Sequence, residues 1–379
     1  MTHRPPALIV GGGPAGAAVA ITLAQAGLKP HLVERQAGPH DSVCGGFLGW
    51  DALAALRDMG LDAFALGARP IEHLRLFAGA RCVELALPHR AAGLSRRLLD
   101  EALICHAKGA GAIVMQGRAV RTADLPGRSI RFDDGDEMAG EALFLATGKH
   151  ELRGAARDLT GRKEAPSVGL RAVLPASADL AGAIELHLFD GGYAGLLSQE
   201  DGTANLCLSV ARERLSEAGG VAALIHAIMA QAPHLARRME DALPGRFEAI
   251  AGVPYGWRAA AGQPGLFRVG DQGAVIASLA GDGIAIALAS GVSAAQAFLA
   301  GGAEAATDWQ RQWHRQSRRP IFAAEALRHA AARPGARDML MRLLQWMPGL
   351  GAQAALLTRI SAPRRGERRS GARFAPDRA

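Results

Sequence analysis

Three glycines and one acid carry the first chemical signal in this chain. Gly11, Gly13 and Gly16 stand in Gly-x-Gly-x-x-Gly spacing, and Glu34 follows 23 residues after Gly11. The first glycine permits a tight turn, and the second lets a pyrophosphate approach bare backbone. The third permits a helix to pack closely on a strand. Pro14 and Ala15 stand where that helix begins, so its free N–H groups and positive dipole end favour a phosphate. Glu34 is placed to accept from both ribose hydroxyls and would repel a 2′-phosphate, and Arg35 beside it is a further binding candidate. The fingerprint implies a dinucleotide and leaves its identity open.

A second signal lies far downstream. Phe267-Arg-Val-Gly-Asp271, with Gly281-Asp-Gly283-Ile284 ten residues on, resembles the second FAD motif of flavoprotein hydroxylases and their relatives. The resemblance implies that Asp271 binds the ribitol chain and that the Gly281–Ile284 backbone faces the flavin ring. There a helix N-terminus would stabilise negative charge on reduced flavin. Leu94-Ser-Arg-Arg-Leu-Leu-Asp100 is similar to the family's Arg-x-x-Leu-Asp helix start, which assigns Arg96 to the nucleotide. Val120 matches the position whose backbone reads adenine, and Thr147 and Gly148 end the strand that lies under the cofactor. The pattern covers roughly residues 5–300. It resembles the glutathione-reductase-type FAD-dependent oxidoreductases, a group that includes flavoprotein monooxygenases, geranylgeranyl reductases and flavin halogenases.

Three details bear on the reaction. Val43-Cys44-Gly45-Gly46 resembles the Cys-Gly-Gly loop of geranylgeranyl reductases, whose cysteine lies near the flavin. A packed small hydrophobe is the alternative for Cys44. Gly191-Gly-Tyr193-Ala-Gly195 resembles the Gly-Gly-Tyr strand that lines the cavity of the same reductases. Tyr193 and Tyr255 are the two tyrosines of the chain, and a phenol there could orient substrate or donate a proton; a core role is the alternative. The departures are Ala146-Thr147-Gly148-Lys149-His150, where hydroxylases carry Asp-Gly, and Ser278 in place of a proline. No tryptophan-halogenase signature is visible.

These residues imply FAD as cofactor, with NAD(P)H or another reductant as electron donor, O2 as a candidate co-substrate and an apolar small molecule as substrate. The first reading is a single-component monooxygenase. It would hydroxylate an aromatic or polyketide-like molecule through a flavin C4a-hydroperoxide, with Tyr193 and Tyr255 on the substrate side. The second is a C=C reductase of the geranylgeranyl-reductase type, with Cys44 or Tyr193 near the protonated carbon. The third is a non-catalytic FAD-binding partner protein.

The elements that must position these residues follow from the hydrophobic pattern. Ala7–Val10 is apolar throughout, as a strand buried on both faces should be, and Ala17–Ala26 is helical up to Gly27. His31–Glu34, Ala112–Met115, Leu143–Ala146 and Leu266–Val269 complete a buried sheet. Helices are expected over Gly49–Met59, Leu94–Lys108, Val221–Gln231 and Gly283–Leu299. Alternation predicts a hairpin over Ile71–Leu87 around Gly79 and strands at Val168–Leu174, Ile184–Phe189 and Ala204–Val210. The fold class is α/β: a Rossmann-like FAD-binding domain (1–70, 94–160 and 256–300) and a mainly antiparallel β-sheet substrate domain (71–93 and 161–255). C-terminal helices (301–362) follow, with Trp309, Trp313, Trp346 and a Met/Leu stripe packed over the substrate domain, and then a disordered basic tail (363–379).

Bulk composition excludes other classes. The chain has 379 residues, 49% of them hydrophobic and 21% charged, which is globular rather than disordered. Of the net charge of +7, six arginines against Glu367 and Asp377 put +4 into residues 363–379. No basic face with interleaved aromatics marks a nucleic-acid binder. The tail leaves weak peripheral contact with an anionic membrane open. The four cysteines form no Cys-x-x-Cys pair, so neither a disulfide framework nor a metal site is expected. The first apolar run leads straight into the glycine turn, and a cytoplasmic protein is the expectation.

Overall fold

The computed structural model describes residues 6–160, 167–240 and 246–360. The basic tail lies outside the described residues. Five parallel strands form the first sheet, in the order Leu266–Arg268, Ala142–Leu145, Ala7–Val10, His31–Glu34 and Ile113–Gln116. All four residues of Ala7–Val10 and of Ala142–Leu145 are buried, because the sheet is covered on both faces. One face carries the helices Pro14–Gln25 and Gly283–Gly301, which pack on each other. A Cβ at Gly291 would stand 2.4 Å from the Ala15 carbonyl oxygen, so the glycine allows the two helices their close approach. That packing accounts for the Gly/Ala-rich text of the second helix. Gly283–Gln316 is long and apolar enough to cross a membrane by composition, yet Ile284, Leu288 and Phe298 are buried in this core.

The second sheet has eight strands, in the order Glu248–Val253, Ser167–Pro175, Thr203–Val210, Gly192–Ser198, Gly182–Phe189, Arg69–Ala78, Arg81–Gly93 and Phe47–Leu48. Its pairings are antiparallel except where Gly182–Phe189 runs alongside Arg69–Ala78. Phe47–Leu48 pairs with Gly93 and Ala92, so the short strand after the Cys44 loop crosses from the first domain into the second sheet. Leu224, Ile225 and Ile228 of the Val221–Gln231 helix cover one face. The opposite face looks toward the nucleotide domain and the C-terminal helices.

Most expected elements are observed within a few residues of their expected limits. The first helix starts at Pro14 rather than Ala17, since proline is compatible with a helix's first turn. The hairpin turns at Gly79, with φ +58°. A small three-stranded sheet (Val120–Asp124, Ser129–Phe132, Glu137–Ala139) was not expected; its strands are short and largely polar. One expectation is corrected. Trp309 and Trp313 do not pack over the substrate domain. The Ala305–Gln316 helix buries them in the core of the first domain, where Trp309 meets Phe267 and donates to the Ser293 hydroxyl at 3.0 Å. The later helices do cover the second sheet, through Met341 and Leu344 against Leu76 and Leu85. Trp346, Met339, Leu343 and Met347, expected in the same contact, are instead exposed, because they lie off the helix face that meets the sheet.

Candidate functional site

The C-terminal ends of the first sheet's strands open into a groove of about 450 Å³. Parallel α/β sheets bind ligands at this edge. Gly11, Gly13, Pro14, Ala15, Glu34, Arg35, Arg96, Val120, Thr147, Gly148, Asp271, Gly283 and Ile284 all line it. Gly16 lies beneath, where a Cβ would come within 1.9 Å of the Gly11 carbonyl oxygen, so it sets the contact of helix on strand. Glu34 accepts from the Gly12 N–H at 2.7 Å and from the Gln36 N–H at 2.9 Å, which fixes its carboxylate at the groove's rim. Arg96 holds Asp100 through two parallel hydrogen bonds, one of them 2.8 Å long. Its helix is capped by Ser95, whose hydroxyl accepts from the Leu98 N–H. Asp271 faces Lys149 at 3.4 Å, and that carboxylate raises the lysine's pKa. His150 also lines the groove and meets Arg35 at 2.9 Å; burial lowers its pKa, and Arg35 lowers it further.

A smaller cavity of about 160 Å³ adjoins this groove. Val43, Cys44, Lys149, Ile250, Asp271, Gly283 and Ile284 line both, so the two spaces share a wall. Gly45 and Gly281, expected beside the cofactor, line only the smaller one. Leu74, Leu87, Ile184, Leu186 and Leu197 make most of its surface apolar. Away from Lys149 and Asp271 the lining carries a further polar cluster: Tyr193 and Tyr255 both hydrogen-bond the Ser278 hydroxyl, the latter at 2.8 Å. Burial, reinforced by the neighbouring Tyr255, raises the Tyr193 phenol well above its ordinary pKa, so it stays protonated. Cys207, on the cavity wall near Cys44, is held as a thiol, its pKa pushed up to about 12 by burial.

The comparisons with known proteins agree with this geometry. Residues 4–144 match the model of a family described as an FAD binding domain. The chain carries an FAD-binding domain. This flavoprotein is 28% identical over 335 residues to menaquinone reductase of Mycolicibacterium smegmatis, covering 83% of this chain and 80% of that one. Its fold resembles that of a geranylgeranyl bacteriochlorophyll reductase-like protein from Thermoplasma acidophilum, with TM-score 0.74 and 18% identity over 92% of this chain and 94% of the other. It also resembles a "probable FAD-dependent monooxygenase" from Pseudomonas aeruginosa, with TM-score 0.68 and 18% identity over 89% of this chain and 100% of the other. The coarse class is FAD-dependent oxidoreductase. The flavoprotein's groove also suits the cofactor sterically. A Cβ added at Gly283 or Gly148 would meet no protein atom within 4 Å, so these glycines leave open space against the groove.

Several residues of the site carry no sequence signal of their own. Arg157 is fully buried and donates to the backbone carbonyls of Lys149 and Asp271, tying two groove segments together. Asn205 donates to the carbonyls of Cys44 and Gly45 at 2.9 and 2.8 Å, and Arg171 holds Asn205 in turn. Asp282 is fully buried, and burial pushes its pKa up to about 7 against the pull of Arg359, its ion-pair partner. Arg359 stands more than seventy residues later in the sequence and lines the small cavity. Nothing in local pattern couples such distant positions.

Proposed function

We propose that this flavoprotein reduces a carbon–carbon double bond of an apolar, isoprenoid-like acceptor. The observation that carries the reading is the shared wall. The Cys44-Gly45-Gly46 loop lies between a dinucleotide groove and a largely apolar cavity that carries the Tyr193, Ser278 and Tyr255 cluster apart from the Lys149–Asp271 pair of the shared wall. The curated relative is named a menaquinone reductase, and menaquinone carries an isoprenoid side chain, so the name suits an apolar, isoprenoid-like acceptor. Gly11, Gly13, Glu34, Arg96, Asp271 and the helix start at Gly283 would hold FAD. Bound there, FAD would supply two-electron hydride chemistry at the cavity's wall.

The chain's own residues then do three things. The leucines and isoleucines of the cavity exclude water from the acceptor. Asn205 fixes the Cys44 loop from behind. The hydrogen-bonded Tyr193, Ser278 and Tyr255 can relay a proton to the substrate: as the Ser278 hydroxyl gives one up it takes another from a phenol, which regains its own from water. Ser278 stands where a proline occurs in the resembling hydroxylases, so this cluster is built on a departure from their pattern.

The test is anaerobic. Protein reconstituted with FAD is reduced with dithionite, mixed with a menaquinone, and the product analysed by mass. NADH and NADPH are compared as donors in the same assay. A product heavier by two hydrogens at a side-chain double bond supports the reading. A product formed only with O2 and carrying one added oxygen atom replaces it with hydroxylation. Loss of reduction in Cys44→Ser is expected if the thiol faces the reacting carbon, and full activity would remove it from the chemistry. Ser278→Ala should lower turnover about 100-fold while flavin content stays unchanged, as loss of a proton-transfer group does.

A further inference from the structure

The Pro334–Trp346 helix is apolar on two faces. Met341 and Leu344 are buried against the second sheet. Met339, Leu343 and Trp346, at i, i+4 and i+7, point away from that contact, and Trp346 is 87% exposed. A helix that is apolar on opposite sides is ordinarily covered on both. Neighbouring helices also expose large apolar side chains: Phe322 of Arg318–Ala332 is 75% exposed, and Leu356 and Leu357 of Gly349–Leu357 and Met347 are exposed as well. These three helices pack on one another. Exposed apolar side chains in such number mark an interaction surface rather than scatter.

The charge on this helix and in the sequence that follows points to its partner. Arg342 is exposed on the same helix. The chain continues from Ile360 into Arg364, Arg365, Arg368, Arg369, Arg373 and Arg378, against Glu367 and Asp377. A second copy of the chain on this face would bring two strongly basic segments together. Anionic phospholipid would complement them, and aromatic and aliphatic side chains beside arginines suit the boundary between headgroups and acyl chains. We infer that Pro334–Trp346 and Gly349–Leu357 seat this protein on the surface of an anionic bilayer. The same seat serves the cavity. Ala355 and Arg359 line it, while Leu356 and Leu357 face outward, so a single helix end separates the apolar cavity from the docking face.

Flotation of the full-length, FAD-loaded protein with vesicles tests this without requiring turnover, so it stands or falls apart from the reductase reading. The vesicles are phosphatidylcholine alone, or with about 30% phosphatidylglycerol, in roughly 150 mM salt. Binding to the anionic vesicles is expected, with a blue shift of tryptophan fluorescence that Trp346→Leu removes. Met339→Ser/Leu343→Ser/Trp346→Ser should weaken flotation at least about tenfold. Because these side chains are exposed, the variant should keep its flavin content and circular dichroism. Should it lose them, Leu356→Ser/Leu357→Ser provides the same measurement on the neighbouring helix. The inference is overturned if the wild type stays unbound with anionic vesicles or if both serine variants float as well as it does. It is also overturned if the wild type is a dimer in solution that the serine substitutions dissociate, which would give the face to a second copy.

Discussion

An alanine at position 16 is expected to yield protein that purifies without flavin. The added Cβ would lie 1.9 Å from the Gly11 carbonyl oxygen and 3.1 Å from the Ala146 Cβ. No rotamer change relieves a contact with backbone, so the Pro14–Gln25 helix must move away from the sheet. Overpacking of this kind costs about 1–3 kcal/mol or more in stability. The functional loss is larger, because that helix's first turn also positions the N–H groups at the glycine turn. FAD affinity should fall by at least about 100-fold, a loss of roughly 3 kcal/mol. Gly13→Ala provides the contrast. Its Cβ would approach only the Arg96 guanidinium, at 3.3 Å, and a flexible side chain can give way. That variant should fold normally and bind FAD more weakly than the wild type but better than Gly16→Ala. Titration of apoprotein with FAD, followed by flavin fluorescence, measures both. Wild-type affinity in Gly16→Ala would show that the cofactor does not depend on this turn.

The contrast also shows what kind of information the sequence holds. The groove of the candidate site is written in contiguous motifs, because strand, glycine turn, helix and acid must be adjacent in the chain to form one edge. Gly11, Glu34 and the Gly283 helix could therefore be named from text alone. The smaller cavity is assembled from the second sheet, where Tyr193, Cys207 and Leu186 come from different strands and meet only through strand order. The eight-stranded order depends on a parallel pairing between Gly182–Phe189 and Arg69–Ala78, more than a hundred residues apart, and no local pattern encodes it. The tyrosines were visible because the chain has so few, but their common partner Ser278 was visible only as a departure. The misplacement of Trp309 and Trp313 has the same origin. An amphipathic helix declares that it has an apolar face, and only the long-range fold declares what that face meets. Asn205 and Arg157 left no trace at all, and Asp282 stood inside a motif without any sign of its burial or its partner, since a polar residue in a strand or loop reads as exposed until its neighbours are known.

Asp282 and Arg359 give the second large effect, and its size depends on pH. The Asp282 side chain is fully buried at the start of the Gly283–Gly301 helix, next to Arg359, which also lies over the Trp50 ring at 3.9 Å. Burial raises the Asp282 pKa from an ordinary 3.8 to about 7, while Arg359 opposes the shift and Asp51 adds to it. In the unfolded chain this acid releases its proton near its ordinary value; in the folded one it keeps it nearly to neutrality. The folded state therefore binds more protons between these limits, and the acid's contribution to stability is full at low pH and declines until pH passes about 7. Asp51, also raised by burial and also facing Arg359, acts in the same direction. Arg359→Met keeps much of the side-chain volume but removes the counter-charge, so Asp282 must either stay protonated or be buried as an unpaired anion. Breaking a buried pair in this way costs about 3–5 kcal/mol. At pH 8 the full loss is expected, whereas at pH 5, with Asp282 protonated with or without its partner, only the packing and cation–π contributions of Arg359 are lost. Urea unfolding of the wild type and the variant at both values measures the difference. Asp282→Asn combined with Arg359→Met should recover most of the loss at pH 8, because an amide carries no charge to bury. A loss of equal size at pH 5 and pH 8 would mean that Arg359 acts through packing on Trp50 rather than through the carboxylate.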